Sequence, residues 1–171
     1  MPLYLVDANV LITAHNQYYP IDTVPQFWDW LLHQAENGDV KIPFEIYEEI
    51  KVGGKDGNKD ILYKWVADSS VKKHLLLDEQ VNPAHVARCT KIGYAPDLTD
   101  DELLRMGRDP FLIAYAMAAR DQRCVVSNEV SAPAKKRQNR KIPDVCSTMG
   151  VQCCNVFAMT RALGFKTDWK K

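Results

Sequence analysis

The 171-residue sequence predicts an α/β fold in which helices cover both faces of a short, mostly parallel sheet of four or five strands. Short apolar runs alternate with longer segments of helical periodicity. The apolar runs lack the period-two alternation of half-exposed strands, which favours strands buried on both faces. A single domain over residues 1–171 is expected, because the length corresponds to about one domain and no long linker interrupts the chain.

The first third of the chain contains two of the predicted strands. Residues 3–6 form an apolar run that predicts the first strand, and a helical pattern follows over 10–16. An amphipathic helix is predicted to begin at Pro25 and to end just before Gly38, since proline favours helix starts and glycine favours helix stops. The second strand is predicted at 40–42.

The middle of the chain is predicted to be mostly helical. A glycine-rich turn is expected over 53–58, and residues 75–77 could form either a strand or a buried connector. The spacing of apolar residues predicts four helices, at 43–52, 59–68, 83–90 and 98–106.

The last third repeats the strand and helix alternation. The longest apolar helix is expected at 110–120, and a polar, basic loop is expected over 130–140. Asn155 is a predicted N-cap for the last helix, which Gly164 should end. Two strands and a short helix complete the prediction, at 124–126, at 150–153 and from Ile142.

The composition excludes several classes of protein. Hydrophobic residues make up 46% and charged residues 26%, which is typical of a globular domain and excludes a disordered or coiled-coil chain. The 22 basic and 22 acidic residues cancel, so a uniformly basic nucleic-acid binder is disfavoured while a local basic patch is not. Five cysteines without a Cys-x-x-Cys motif favour reduced thiols and a cytoplasmic location. Neither a membrane span nor a signal peptide is expected.

Acidic residues follow the predicted strands at the points where ligands bind in parallel α/β sheets. Asp7 follows the first strand, Glu129 follows the third, and Asp109 heads the helix that leads into the third. The helix after the second strand offers three further acids, of which one or two can face inward: Glu45, Glu48 and Glu49.

Carboxylates brought together at one sheet edge repel one another, and a hard divalent ion removes that conflict. Mg²⁺ or Mn²⁺ is therefore the expected cofactor, able to activate water for attack on a phosphodiester. Each acid also has a structural interpretation: Asp7 and Asp109 could cap helices, and Glu129 and the three glutamates could be exposed surface charges.

Four short motifs resemble the PIN domain family of metal-dependent nucleases, in order and in apolar context. They are YLVDANVL from Tyr4, EIKVG from Glu49, DPFLIAYA from Asp109 and VVSNE ending at Glu129. The match covers most of the chain, which resembles a longer PIN-like subgroup rather than the compact toxins of that family.

The resemblance implies a Rossmann-like α/β/α sandwich that cleaves RNA. Asp7, Glu49, Asp109 and Glu129 would then be the catalytic and metal-binding acids. Glu48 and Glu45 stay open as alternatives to Glu49, and Glu129 stands where most members have aspartate. Asn9 and Ser127 would orient ligands or waters. Asp144 could supply a further carboxylate, or could stabilise the first turn of its helix.

A run of basic residues follows Glu129 directly and could hold RNA phosphates, or could be a solvated loop. Its members are Lys135, Lys136, Arg137, Arg140 and Lys141. The expected function is a metal-dependent endoribonuclease with RNA as its substrate. The resemblance leaves open that the chain is the toxin of a toxin–antitoxin pair, with an antitoxin protein and a second copy of the chain as candidate partners. The first alternative is a catalytically weak PIN-fold module that binds RNA or protein. The second, with less support, is a small phosphohydrolase.

Overall fold

The computed structural model describes residues 1–53 and 61–171. Beyond Gly53, the predicted glycine-rich turn lies outside the described residues, as do the first two residues of the helix predicted over 59–68. Within the described part of the chain, no helix is long and apolar enough to cross a membrane.

The sheet confirms the predicted α/β class. Its strands are β1 (Leu3–Val6), β2 (Val40–Lys41), β3 (Arg123–Val126) and β4 (Gln152–Cys154). Among the described residues the sheet has four strands in the order β2-β1-β3-β4, and every pairing is parallel. Helices flank this sheet, consistent with a Rossmann-like α/β/α sandwich.

The helices lie close to the predicted positions. They are α1 (Ala8–Thr13), α2 (Pro25–Asn37), α3 (Phe44–Gly53), α4 (Ile61–Ala67), α5 (Ser69–Leu75), α6 (Pro83–Arg88), α7 (Asp100–Met106), α8 (Asp109–Met117), α9 (Ile142–Met149) and α10 (Val156–Ala162). Short π-helical turns continue α1 over Ala14–Tyr18 and α6 over Cys89–Tyr94, and a 3₁₀ turn spans Arg137–Asn139.

Helix ends that depend on local chemistry were predicted correctly. Gly38 ends α2 with φ of +86°, a left-handed conformation that favours glycine. The Asn155 side chain caps α10 by accepting a hydrogen bond from the amide of Ala158 at 2.9 Å. The sequence patterns missed α5, although Asp68 caps it by accepting from the amides of Ser70 and Val71.

Residues 75–77, for which both a strand and a buried connector were considered, form mainly a connector. Leu75 ends α5, and the next residues touch the edge of the sheet through one parallel bridge between Ile42 and Leu76. The amide of Leu77 donates to the carbonyl of Ile42 at 2.9 Å. The short contact extends the sheet locally without adding a strand of normal length.

The direction of α8 places its first residue near the carboxyl ends of the parallel strands. Leu112, Ile113 and Ala116 are fully buried, and α8 packs on β3, into which the chain then runs. Because α8 leads back to the beginning of a parallel strand, its first residue lies near the carboxyl ends of the strands. Asp109 is that residue.

Candidate functional site

Asp7 lies at the centre of the sheet edge. It follows β1, and its amide donates to the carbonyl of Val126 in β3 at 3.0 Å. The side chain is only 2% exposed; Asp7 is the N-cap residue of α1 and lies near the amides of Ala8 and Asn9, but it makes no side-chain capping hydrogen bond of normal geometry. The capping interpretation therefore does not explain a buried carboxylate at this position.

Asp109 approaches the same edge from the helix layer. Arg108 occupies the N-cap position of α8, so Asp109 is the first helical residue and Pro110 the second. The simple N-cap interpretation of Asp109 is therefore wrong. The side chain is partly buried near the carboxyl ends of β1 and β3.

Glu49 is held at the junction between α7 and α8. Its Oε1 lies 3.8 Å from the position that a Cβ on Gly107 would take. The backbone N–H of Arg108 donates to its carboxylate. These contacts aim Glu49 toward the edge where Asp7 and Asp109 lie, close enough for its charge to act on both.

The other two glutamates of α3 point elsewhere. Glu48 forms a half-exposed ion pair with Lys51, in which Nζ and Oε1 are 3.7 Å apart. Glu45 lies against Tyr115: burial, and then the neighbouring Glu45 carboxylate, raise the pKa of that phenol to about 12. Of the three candidates for the second acid, the geometry groups Glu49 with the others.

Glu129 is fixed at the end of β3 by its neighbours. Its Oε2 accepts a hydrogen bond from the amide of Ile142 at 2.7 Å, and its own amide donates to the hydroxyl of Ser127 at 3.2 Å. Ser127 is itself only 2% exposed. Lys141 lies beside the second oxygen, with Nζ 3.9 Å from Oε1.

The four carboxylates act on one another electrostatically. Burial, with added repulsion from Glu49 and Glu129, raises the pKa of Asp7 from 3.8 to about 7, although the amides of Ala8 and Asn9 oppose the increase. Burial and the charges of Asp7, Glu129 and Glu49 raise the pKa of Asp109 to about 8, against a smaller opposing effect of Lys141. Burial also raises the pKa of Glu49, and Arg108 offsets part of it.

This donor set suits a hard divalent cation by its chemistry. All four groups are carboxylates, the ligands that Mg²⁺ and Mn²⁺ prefer. A cation would offset the burial and the repulsion that raise the pKa values of Asp7 and Asp109. Over residues 1–53 and 61–171, no three His, Cys, Asp or Glu side chains are close enough together to hold one ion. The acids share an edge of the sheet but do not form a finished coordination shell.

A pocket of about 250 Å³ opens beside the acids. Asp109 and Glu129 form part of its wall, and basic and amide side chains form the rest. The remaining lining residues are Arg105, Met106, Lys135, Gln138, Asn139, Arg140 and Lys141. The loop after Glu129 therefore places positive charge next to the carboxylates, as its position in the sequence suggested.

Two arginines of the basic run stabilise the loop itself. Arg137 donates to both carboxylate oxygens of Glu102, at 2.7 and 2.8 Å, and to Asp97 at 2.8 Å. Its φ of +56° is left-handed, a conformation that costs a non-glycine residue about 1–2 kcal/mol. Arg140 donates to the carbonyl of Gly93 and to the hydroxyl of Thr148. Their contacts leave the lysines as the better candidates for phosphate binding.

Asp144 also stabilises the loop. It lies in the first turn of α9, and its two oxygens accept hydrogen bonds from the Ser131 hydroxyl at 2.5 Å and the Ala132 amide at 2.8 Å. Those bonds lower the pKa of Asp144, whereas the pKa values of Asp7 and Asp109 are raised. Its position fits the helix-start interpretation better than a role as a further ligand.

One predicted residue and three residues that the sequence did not predict remain to be placed. Asn9 is exposed on the first turn of α1, two residues beyond Asp7. Arg108 directly precedes Asp109, so its position next to a candidate acid was a signal in the sequence. Arg105 and Tyr94 reach the site only through tertiary packing, and no local pattern marks them.

Comparisons with known proteins identify a family without an assigned activity. A family model described as "Domain of unknown function (DUF4411)" matches residues 4–167. No curated protein and no solved structure matches the chain.

Proposed function

The chain belongs to the DUF4411 family, and we propose, from the four carboxylates grouped at one edge of its sheet, that it is a metal-dependent endoribonuclease. The observation that carries the proposal is the grouping of Asp7, Glu49, Asp109 and Glu129 at the carboxyl ends of parallel strands. A protein without use for such a group would gain stability by removing at least one of the buried acids.

Asp7, Glu49, Asp109 and Glu129 would hold the Mg²⁺ or Mn²⁺, which supplies an activated water and neutralises charge on a phosphodiester. The chain's other residues prepare that site. Ser127 holds the backbone of Glu129, and the Arg108 amide orients Glu49. Lys135 and Lys136 are exposed on the adjoining loop, where they can attract phosphates without reading sequence.

The PIN resemblance belongs to the same proposal. The resemblance implies RNA as the substrate, and the positive side chains that line the pocket beside Asp109 and Glu129 support a phosphate-containing ligand. The resemblance also implies a cytoplasmic toxin with an antitoxin partner, and a homodimer. Those finer parts rest on the resemblance alone and stay predictions.

A catalytically weak RNA- or protein-binding module is the second candidate, and one observation favours it. In the described part of the chain, the acids are not close enough to form a ready metal site. Lys141 already places a positive charge near Glu129 and Asp109, which partly replaces a cation there. A module of this kind would bind RNA without cleaving it.

The decisive experiment combines Mn²⁺ calorimetry with RNA cleavage, for the wild type, Asp109→Asn and Asp121→Asn. Asp121 is an exposed acid before β3, at the opposite edge of the sheet, and serves as the control. We expect the wild type and Asp121→Asn to bind Mn²⁺ and cleave RNA, and Asp109→Asn to do neither.

Other results would point to other functions. RNA binding without Mn²⁺ binding or cleavage would support the binding module and refute the nuclease. Turnover of a small phosphate ester, with RNA left intact, would support the phosphohydrolase.

A further inference from the structure

Two residues with side-chain amides line the pocket beside the carboxylates. Gln138 and Asn139 belong to the 3₁₀ turn and form part of the pocket wall, together with Asp109 and Glu129. Within residues 1–53 and 61–171, neither side-chain amide makes a hydrogen bond. Gln138 is half-buried and Asn139 is exposed, so a ligand that enters the pocket from solvent can reach both.

Two arginines hold the turn in place on either side of these amides. Arg137, which precedes them, donates to both carboxylate oxygens of Glu102 on α7. Arg140, which follows them, donates to the carbonyl of Gly93. The left-handed backbone of Arg137 is a strained conformation that these contacts maintain. The two amides are therefore presented on a fixed turn, which has little conformational freedom left to lose when a ligand binds.

The chemistry of an amide side chain matches the edge of a nucleobase better than a phosphate. Each amide offers a donor and an acceptor, as the edges of nucleobases do, whereas an ionised phosphate offers acceptors alone. Unstacked bases of single-stranded RNA can turn outward and be recognised along these edges. The pocket volume of about 250 Å³ is a little below the roughly 300–1,000 Å³ of sites for drug-sized ligands, which suits a ligand as small as one base.

The cations of the pocket complement the amides. Arg105 and Lys135 are exposed lining residues, and neither forms an ion pair in the described part of the chain. They can attract the phosphates next to a bound base. Because phosphate contacts carry no sequence information, these cations would supply affinity and the amides would supply the choice of base.

We propose that this pocket binds one nucleobase of the RNA and that Gln138 and Asn139 are specificity-determining residues, which select the base by hydrogen bonds to its edge. The proposal rests on the proposed function and deepens it. Asp109 and Glu129 belong both to the pocket wall and to the candidate metal ligands, so a base held there lies next to the phosphodiester on which the ion would act. The nuclease would then cut preferentially beside that base.

The test supplies a pool of short random-sequence RNA to the wild type, to the double variant Gln138→Ala, Asn139→Ala and to Gln122→Ala. Gln122 is an exposed amide before β3, at the opposite edge of the sheet, and serves as the matched control. Sequencing measures base enrichment in RNA bound in the presence of a chelator, and at the ends of RNA cut in the presence of Mn²⁺. The Kd for the whole pool and the melting temperature are measured for each protein.

We expect the wild type and Gln122→Ala to enrich one base by about tenfold, the discrimination that a pair of hydrogen bonds to a base edge provides. The double variant should lose this enrichment, keep its melting temperature and still bind the pool through the cations. Lys135→Ala should raise the Kd for the whole pool without changing the enriched base. A merely structural role for the two amides would instead lower the melting temperature and leave the enrichment in place.

The outcomes separate this proposal from the proposed function. If the wild type cuts RNA but enriches no base, or enriches the same base as the double variant, the selecting role of the amides is refuted while the nuclease stands. If bound RNA shows an enrichment that the double variant loses, and the wild type cuts no RNA, the pocket is supported and the nuclease is refuted. If the wild type cuts no RNA and enriches no base, both are refuted.

Discussion

Replacing Asp7 with asparagine should make the metal-free protein more stable at alkaline pH while it abolishes metal binding. Asparagine has nearly the shape of a protonated aspartate and cannot ionise. The free protein must bury the ionised Asp7 carboxylate beside Glu49 and Glu129 once the pH exceeds its pKa. The substitution removes that cost, and it also removes a candidate metal ligand.

The size of the effect follows from the pKa of Asp7. A value of about 7 in the folded protein, against 3.8 ordinarily, means that the folded state binds the proton more tightly than the unfolded state. Stability is therefore lost as the pH rises between these two values, by about 4 kcal/mol in all at 1.36 kcal/mol per pKa unit. Part of the loss has occurred by pH 5, so about 3 kcal/mol remains between pH 5 and pH 8.

Urea denaturation with a chelator, at pH 5 and at pH 8, measures this difference. The stability of Asp7→Asn relative to the wild type should increase by about 3 kcal/mol between the two pH values. Asp121→Asn, the exposed control, should show no such increase. Added Mn²⁺ should raise the stability of the wild type at pH 8 and leave that of Asp7→Asn unchanged, since only an ion that binds the folded state stabilises it.

The reasoning is refuted if the relative stability of Asp7→Asn is the same at both pH values. Asp7 would then be hydrated or paired in solution, and repulsion among the acids could not be the reason for a cation. A variant stabilised at pH 8 that still responds to Mn²⁺ would instead show that the ion binds elsewhere.

Two further predictions concern the residues that shape the site. Glu49→Gln should weaken Mn²⁺ binding by about tenfold or more, since loss of a group that merely supports a metal ligand already has that effect. Glu48→Gln is the control and should leave Mn²⁺ binding unchanged. Equal losses of affinity for the two variants, measured by calorimetry, would contradict the assignment of Glu49 as the second acid. Arg137→Ala should return the pKa of Glu102 from about 2 toward 4.5, because hydrogen bonds from the guanidinium are the main cause of the low value. An NMR pH titration measures this, and Arg137→Lys should keep part of the shift. A Glu102 pKa that stays near 2 in Arg137→Ala would show that the hydrogen bonds of Thr99, and not those of Arg137, lower it.

Local patterns predicted most of the fold because they depend on neighbours in the chain. The α2 helix begins at Pro25 and ends before Gly38, where proline and glycine have intrinsic backbone preferences. The apolar runs of β1 and β3 indicated buried parallel strands, and the sheet confirms this. The missed helix α5 and the end of the π-helical turn at Tyr94 are stabilised by packing against other elements.

The sequence by itself determined the class of fold, the strand ends at which Asp7 and Glu129 stand, and the position of Asp109 at a helix start. Tertiary structure alone decided which glutamate of α3 joins them, because Glu45, Glu48 and Glu49 differ only in the direction each faces. It also decided that Arg137 and Arg140 stabilise their own loop and that the two amides between them line the pocket beside the acids. Such roles depend on contacts between residues far apart in the chain, which no local spacing records.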